Sequence, residues 1–295
     1  MSNPREIKEI PERLYVVGDI HGCLDELRLI IEFLLEERHL CQKDLVVFCG
    51  DYIDRGYNAR GVVQYLIDFK EKFPDTVFLK GNHEEMLLAY LSSEHSILKN
   101  SYLANGGMQT LESYNMPNDE FSLPEEEERK LIQTHLNFFT ALEPCVMIGD
   151  FVVVHAGLNP LRALDAQIEE DMLWIRDEFI LSPHYFNKTV VFGHTPYHDV
   201  YLDLPSKIGV DTGLVYGNML TCIELFGHEV IQINLGGTTV FTGSFNEDGV
   251  VSAPISEEPS KKSIKKKNRK RKVKTKTPVK RTVSKKGKKA PPAAK

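Results

Sequence analysis

Three short polar clusters of residues that commonly bind metals recur along the first third of the chain. They are Gly18-Asp19-Ile20-His21-Gly22, Gly50-Asp51-Tyr52-Ile53-Asp54-Arg55-Gly56 and Gly81-Asn82-His83-Glu84. Asp19 and Asp51 are 32 residues apart and Asp51 and Asn82 are 31 apart, about the length of one βαβ unit. Each pattern alone is typical of an ordinary turn. Their regular recurrence predicts that the clusters lie side by side at one sheet edge, where α/β proteins bind ligands.

The second half of the chain adds two histidines, His155 and His194, each just after an apolar run. The candidate metal ligands are then Asp19, His21, Asp51, Asn82, His155 and His194. Carboxylate, amide and imidazole donors suit first-row divalent cations such as Mn, Fe or Zn, and the absence of thiolates argues against a structural zinc site. In an extended stretch Asp19 and His21 point the same way and can share an ion. Neighbouring Asn82 and His83 point apart, so one can bind metal while the other faces a substrate.

The elements that carry these clusters are predicted from alternating apolar runs and amphipathic stretches. Strands are predicted over 14–17, 45–48 and 77–79, and helices over 24–37 and 62–73. This β-α-β-α-β order indicates an α/β fold with parallel strands.

Later segments are predicted with less regular patterning. Residues 94–128 are polar, contain Asn105-Gly106-Gly107, and are expected to form an irregular insertion, with a helix over 125–141. A second helix is predicted over 169–179. Further strands are predicted over 146–148, 151–154, 189–192, 207–210, 220–225 and 229–234, the last two as a hairpin.

The net charge of −6 combines two opposite parts of the chain. The first 250 residues carry 18 Lys and Arg against 40 Asp and Glu, a balance of −22; the last 45 carry 18 against two, a balance of +16. Bulk electrostatics exclude the acidic part as a general nucleic-acid binder, because phosphate contacts come from Lys and Arg. We predict a catalytic domain over 1–250 and a disordered, Lys-rich basic tail over 251–295.

Membrane and redox chemistry are constrained as well. The chain has no apolar run long enough to span a bilayer, and residues 1–10 lack the apolar core of a secretory leader. Its five cysteines are odd in number and contain no C-x-x-C pair, which indicates neither a disulfide framework nor a thiolate metal site. These features predict a cytoplasmic protein without a membrane partner.

Taken together with His155-Ala156-Gly157 and Gly193-His194-Thr195, the clusters resemble the motif series of the calcineurin-like metallophosphoesterases, specifically the phosphoprotein phosphatase family. The Gly193-His194-Thr195 form and Leu173-Trp174-Ile175-Arg176 are similar to its bacterial and phage branch of serine/threonine protein phosphatases. The resemblance covers roughly residues 12–235. It implies an α/β fold built as a four-layer β-sandwich flanked by helices.

The resemblance also implies a two-metal site that hydrolyses phosphomonoesters. Asp19, His21 and Asp51 would hold the first metal, and Asp51, Asn82, His155 and His194 the second, with Asp51 bridging. Two divalent ions, Mn being favoured over Fe or Zn, would provide a hydroxide for in-line attack on phosphorus. His83 would protonate the leaving oxygen with support from Asp54. Arg55 and Arg176 would bind the phosphoryl oxygens, although Arg176 has a plain surface position as its alternative.

Three interpretations of the substrate stay open. The resemblance implies phosphoprotein or phosphopeptide substrates, but a symmetrical dinucleoside-tetraphosphate hydrolase shares the motif set. Such hydrolases typically have a small residue where Asp54 stands and Asp where Glu84 stands, so these two residues favour the protein phosphatase. The third interpretation is a protein that binds nucleic acid or another polyanion through the tail over 260–295, where Lys261–Lys272 is almost solid Lys and Arg.

Overall fold

The central strands are runs of four apolar residues, and both faces of these strands are covered by other layers of the fold. In the strand Leu14–Val17, Leu14 and Val16 face a second sheet, whereas Tyr15 and Val17 face helices. All four side chains are fully buried, as is typical of strands enclosed between two layers. The computed structural model describes residues 5–116 and 126–246, and the statements below concern those ranges.

The strands and helices are numbered in chain order. The strands are β1 (Arg5–Ile7), β2 (Leu14–Val17), β3 (Leu45–Phe48), β4 (Val77–Phe78), β5 (Cys145–Ile148), β6 (Phe151–Val154), β7 (Thr189–Phe192), β8 (Tyr201–Asp203), β9 (Lys207–Gly209), β10 (Met219–Glu224), β11 (Glu229–Asn234) and β12 (Phe241–Ser244). The α-helices are α1 (Leu24–Glu36), α2 (Ala59–Lys72), α3 (Asn82–Ser92), α4 (Ser96–Tyr102), α5 (Met108–Ser113), α6 (Glu126–Thr140), α7 (Glu169–Trp174) and α8 (Asp177–Ile180). A π-helical turn, Leu103–Gly107, joins α4 to α5.

Two mixed, six-stranded sheets organise the fold. One sheet has the order β12-β11-β10-β2-β3-β4, in which β2, β3 and β4 run parallel. The other has the order β1-β5-β6-β7-β9-β8, in which β6, β7 and β9 run parallel. The predicted α/β class and the parallel β2-β3-β4 arrangement are therefore confirmed, as is the antiparallel β10-β11 hairpin.

Three apolar cores separate the layers. One core lies between the two sheets, where Val16 and Val47 of one sheet meet Val153 and Val191 of the other. A second core packs α1 and α2 against the outer face of the β2 sheet, and a third includes Phe179 of α8 on the outer face of the other sheet. The layers therefore follow the order helix, sheet, sheet, helix, which is the four-layer sandwich that the resemblance implied.

Two predicted segments differ from the structure. Where residues 94–128 were expected to be irregular, α4, the π-helical turn and α5 are found, because Gly106 adopts a φ of +98° and lets the chain kink without leaving helical structure on either side. The helix predicted over 125–141 is confirmed as α6. The single helix expected over 169–179 is broken at Ile175, whose extended backbone separates α7 from α8. Residues 117–125 lie outside the described ranges.

Three short strands were missed by the sequence patterns, namely β1, β8 and β12. Each is an edge strand with mostly partly or fully exposed residues, so it lacks the apolar run or the strict alternation that marks a buried strand. The chain divides into units Met1–Glu258 and Pro259–Lys295. The predicted boundary near residue 250 and the predicted disorder of the tail fall outside the described residues and stay predictions. No helix in those residues combines the length and apolar character needed to cross a bilayer.

Candidate metal centre

Asp51 lies at the centre of the predicted site, just past the end of β3. It is only 2% exposed. Its Oδ2 atom lies 3.4 Å from His21 Nε2, and its Oδ1 atom lies 3.4 Å from His155 Nε2. The two carboxylate oxygens therefore face histidines that come from different sheets, which is the arrangement expected of a bridging ligand.

Two groups of potential ligand atoms share this carboxylate. His21, Asp51 and His83 form one group, and Asp51, His155 and His194 form the other; within each group the atoms lie within 4.8 Å of one another. Asn82 belongs with the second group, because its Oδ1 atom lies 3.0 Å from His155 Nε2 and 2.9 Å from His194 Nδ1. All but one of the six predicted ligands thus converge in these two groups.

The sixth predicted ligand, Asp19, lies beside the groups. Its carboxylate accepts a hydrogen bond from the His194 backbone N–H, with distances of 3.2 and 3.1 Å to its two oxygens. Burial, and then the negative charges of Asp211 and Asp51, raise its pKa well above the ordinary value. Burial likewise raises the pKa of Asp211 to about 6. Buried carboxylates that repel one another favour a bound cation.

The histidines have the protonation state that metal ligands require. Burial lowers the pKa of His21 to about 3 and lowers the pKa values of His155 and His194, so these rings are neutral at pH 7. Backbone carbonyls orient two of them: His21 Nδ1 donates to Ile53 O and His155 Nδ1 donates to Cys49 O, both at 2.8 Å. Such hydrogen bonds direct the opposite ring nitrogen toward a metal.

Within the two ligand groups, two buried ring nitrogens have no hydrogen-bond partner among the described residues, namely His83 Nε2 and His194 Nε2. An unpartnered buried polar atom is costly unless a ligand meets it. With buried carboxylate, amide and neutral imidazole donors, the residues fit the dinuclear divalent-metal centre implied by the sequence resemblance.

His83 and Asp54 form a buried pair beside the shared carboxylate. His83 Nδ1 lies 2.7 Å from Asp54 Oδ2, and His83 Nε2 lies 3.9 Å from Asp51 Oδ2. Burial opposes a charged imidazole, but the Asp51 carboxylate and the hydrogen bond to Asp54 outweigh burial and raise the pKa of His83. Of the histidines in the two groups, His83 is therefore the one that most readily carries a proton.

The two predicted phosphate-binding arginines lie at different ligand groups, Arg55 at the group with His21 and Arg176 at the group with His194. Arg55 donates from Nη1 to His21 Nε2 at 2.7 Å and lies over the Tyr216 ring, 5.3 Å from its centroid. Arg176 is exposed at the start of α8, where Nη1 donates to His194 O at 3.0 Å and to Thr195 Oγ1 at 3.1 Å. The break between α7 and α8 places this side chain at the second group.

Glu84 has a role that the sequence reasoning did not assign. It is fully buried, and it accepts hydrogen bonds from the backbone N–H groups of Asp51, Tyr52 and Gly81 at 3.0, 2.9 and 2.9 Å. Burial, and then the charge of Asp51, raise its pKa to about 8. Its position three residues after the N-cap of α3 is the capping-box position, which was the available sequence signal. Glu84 therefore fixes the backbone that presents Asp51.

Three further site contacts come from the segment that was expected to be irregular. Tyr102 and Thr110 donate their hydroxyls to Asp54 Oδ1 at 2.9 and 2.6 Å. Gly106 O accepts the Arg55 backbone N–H at 3.0 Å. Nothing in the local sequence marks these residues, because their partners are about 50 positions away along the chain.

Known proteins similar to this chain include a bacterial phosphatase and a tetraphosphatase. Serine/threonine-protein phosphatase 1 of Salmonella typhimurium is 31% identical over 240 residues, covering 76% of this chain and 100% of that protein. The asymmetrical bis(5'-nucleosyl)-tetraphosphatase PrpE of Bacillus subtilis is 27% identical over 245 residues, covering 74% and 93%. A crystal structure of a candidate diadenosine tetraphosphatase aligns with a TM-score of 0.56 at 24% identity, covering 79% of this chain and 98% of that one, and supports the fold.

The family model of the calcineurin-like phosphoesterases matches residues 12–232. The match spans both sheets up to β11 and includes every predicted ligand together with His83, Asp54, Arg55 and Arg176. The chain therefore belongs to the calcineurin-like phosphoesterase family.

Proposed function

We propose that this phosphoesterase is a serine/threonine protein phosphatase that hydrolyses phosphomonoesters at a di-metal centre. The observation that carries the proposal is the buried pair of His83 and Asp54, 2.7 Å apart, whose unpartnered His83 Nε2 lies beside the shared Asp51 carboxylate. A proton donor at this position suits an alkoxide leaving group better than a phosphate leaving group.

A serine or threonine alkoxide is a poor leaving group and needs a proton as the P–O bond breaks. A nucleotide released from a dinucleoside tetraphosphate leaves as a phosphate anion and needs that proton less. The net reaction adds water across the P–O bond: phosphorus gains a hydroxyl from water, the departing oxygen takes a proton from His83 Nε2, and the second proton of the water is released to solvent, from which His83 regains its proton. The general-acid pair therefore supports an alkyl phosphomonoester as substrate.

The remaining residues would bind and orient the phosphoryl group. Bound divalent ions would supply Lewis-acid stabilisation and lower the pKa of water; we propose Mn²⁺, held by Asp19, His21, Asp51, Asn82, His155 and His194. Arg55 and Arg176 lie at opposite ligand groups, so their guanidinium groups would bind phosphoryl oxygens from two sides.

An activity panel tests the substrate class. The purified chain, supplemented with Mn²⁺, is assayed on a phosphoserine peptide, a phosphotyrosine peptide, p-nitrophenyl phosphate and a dinucleoside tetraphosphate. We expect the phosphoserine peptide to have the highest kcat/KM. A higher kcat/KM for the dinucleoside tetraphosphate would replace the proposal with a dinucleoside-tetraphosphate hydrolase, and the products would then tell symmetrical from asymmetrical cleavage, the latter being the activity that PrpE is named for. No metal-dependent turnover on any substrate would refute both.

Two substitutions separate metal binding from proton donation. His83→Asn is expected to lower kcat on the phosphoserine peptide by about 10²–10⁴-fold, the usual contribution of a general acid, with its metal content retained. Asp51→Asn removes the shared carboxylate and is expected to lose both metal and activity. Full activity of His83→Asn on the peptide would show that His83 is not the general acid.

The tail is proposed to direct the enzyme to polyanions such as nucleic acid. Its support is the cluster of Lys and Arg over 261–272, opposed to the acidic first 250 residues. Five free cysteines support a reducing, cytoplasmic setting. Replacing the Lys and Arg of 261–272 with Gln in the full-length chain should abolish salt-dependent retention on a nucleic-acid column; unchanged retention would contradict this partner.

A further inference from the structure

We propose that Tyr102 and Thr110 are positioning residues for proton donation by His83, acting through Asp54. The inference rests on the proposed general-acid role of the His83 and Asp54 pair and extends it to a second layer of residues. Both hydroxyls come from the helical segment α4 to α5, which carries none of the predicted ligands.

The two hydroxyls occupy one oxygen of the Asp54 carboxylate and leave the other for His83. Tyr102 Oη and Thr110 Oγ1 donate to Oδ1 at 2.9 and 2.6 Å, while His83 Nδ1 lies 2.7 Å from Oδ2. Thr110 Oγ1 also accepts the Asp54 backbone N–H at 2.8 Å. The side chain and backbone of Asp54 are thus held by one threonine, which fixes the direction in which Oδ2 points.

The hydroxyl groups and the Asp54 carboxylate are buried, so the loss of one hydrogen bond is not compensated by water. Asp54 and Tyr102 are fully buried and Thr110 is 1% exposed. Asp54 also adopts a φ of +69°, a conformation that non-glycine residues hold only when their surroundings enforce it. A buried carboxylate that loses a donor either turns or draws its remaining partner toward it.

A rotation of the Asp54 carboxylate would change the orientation of the His83 ring. Its ring is held through Nδ1 by Asp54 Oδ2, and the opposite atom, Nε2, must meet the leaving oxygen. A misaligned proton donor slows the release of a poor leaving group more than that of a good one, because only the poor one depends on protonation in the transition state. Loss of positioning should therefore appear as increased sensitivity to the leaving group.

Two aryl phosphates measure that sensitivity without reference to the natural substrate. The full-length, Mn²⁺-loaded chain and its Tyr102→Phe and Thr110→Val variants are assayed on p-nitrophenyl phosphate, which has a good leaving group, and on phenyl phosphate, which has a poorer one. We expect kcat on phenyl phosphate to fall about tenfold more than kcat on p-nitrophenyl phosphate. Thr110→Ser, which keeps the hydroxyl, should restore both values.

Tyr114→Phe is the matched control. Tyr114 follows α5 and its buried hydroxyl contacts His135 Nδ1 at 2.6 Å, so the variant loses a hydroxyl at the end of the same segment without touching Asp54. It should leave the ratio of the two kcat values unchanged. Metal content is measured for every variant. If Thr110→Val does not fold, Tyr102→Phe, which removes a single oxygen atom, still tests the proposal.

Equal losses on the two aryl phosphates, or no loss, in variants with full metal content would overturn the positioning role. The same ratio measured for His83→Asn distinguishes this failure from failure of the proposed function. If His83→Asn shows no increased sensitivity to the leaving group, the general-acid role itself is wrong. If His83→Asn shows it and the two hydroxyl variants do not, only the present inference fails.

Discussion

Gly106 places a backbone turn against Arg55, and replacing it with alanine is expected to disturb phosphate binding. The residue has φ and ψ of 98° and 12°. A Cβ atom there would lie 2.7 Å from Arg55 Cγ and 2.8 Å from Arg55 N. Because Arg55 N donates to Gly106 O, the two backbones cannot separate without breaking that hydrogen bond.

A second glycine allows the steric contact to be isolated. Gly217 has almost the same backbone conformation, with φ and ψ of 95° and 14°, but an added Cβ would meet nothing within 4 Å. Gly217→Ala should cost about 1–2 kcal/mol, the penalty of a left-handed alanine. Gly106→Ala should cost that amount plus about 1–3 kcal/mol for displacing packed backbone. For a domain of this size the additional loss lowers Tm by about 2–12 °C.

Thermal unfolding and inhibition by inorganic phosphate measure the two consequences. We expect the larger drop in Tm for Gly106→Ala, together with an inhibition constant for phosphate raised about tenfold, since the Arg55 guanidinium is displaced with its backbone. Gly217→Ala should bind phosphate as the natural chain does. Equal Tm values for the two variants, or unchanged phosphate inhibition in Gly106→Ala, would refute the reasoning.

Two further predictions concern stability. Glu84→Gln replaces one of two accepting oxygens with an amide nitrogen that cannot accept the Tyr52 N–H, so we expect a loss of about 1–3 kcal/mol in denaturant unfolding; the neighbouring Glu85→Gln should change stability by less than about 0.5 kcal/mol. Burial lowers the pKa of His135 to about 4, below its unfolded value of about 6.5, so the folded state resists protonation and its stability falls as the pH drops through that interval. Between pH 7 and 5 this group should lower the free energy of unfolding by an amount on the order of 1–2 kcal/mol. The measurement is the difference in the pH dependence of stability between the natural chain and His135→Gln. Identical pH profiles would contradict the prediction.

The convergence of the candidate metal ligands was predictable because each follows an apolar run that is itself a strand. Asp51 and Asn82 come after neighbouring parallel strands, so the topology alone brings them together. The spacing of about one βαβ unit between the clusters predicted that they lie side by side. His155 and His194 follow β6 and β7, which are parallel neighbours in the other sheet, and their approach to Asp51 depends on how the two sheets pack, which the resemblance supplied and local patterning did not.

The residues that contact the His83 and Asp54 pair were not predictable, for a physical reason. Tyr102 and Thr110 act on Asp54 through contacts 48 and 56 positions away in sequence. The polar composition and the Asn105-Gly106-Gly107 turn signal favoured an irregular segment, whereas burial of Tyr102 and Leu111 stabilises helices on both sides of the kink. The segment 209–213, which contains Asp211, comes at the end of a predicted strand, and its sequence fitted a wall of the substrate cleft and a plain turn equally well. Asp211 follows β9 of one sheet and Asp19 follows β2 of the other, so their proximity depends on how the two sheets pack.

The ligands are divided between the two sheets of the sandwich: Asp51 and Asn82 follow strands of one sheet, His155 and His194 strands of the other. A cation bound by all four would therefore cross-link the two sheets. Thermodynamic linkage then ties the cohesion of the sandwich to the free concentration of the cation, by about 2.7 kcal/mol at one hundred times the dissociation constant. A cell that depletes its divalent metals would thereby lower both the activity of this enzyme and its resistance to unfolding and proteolysis.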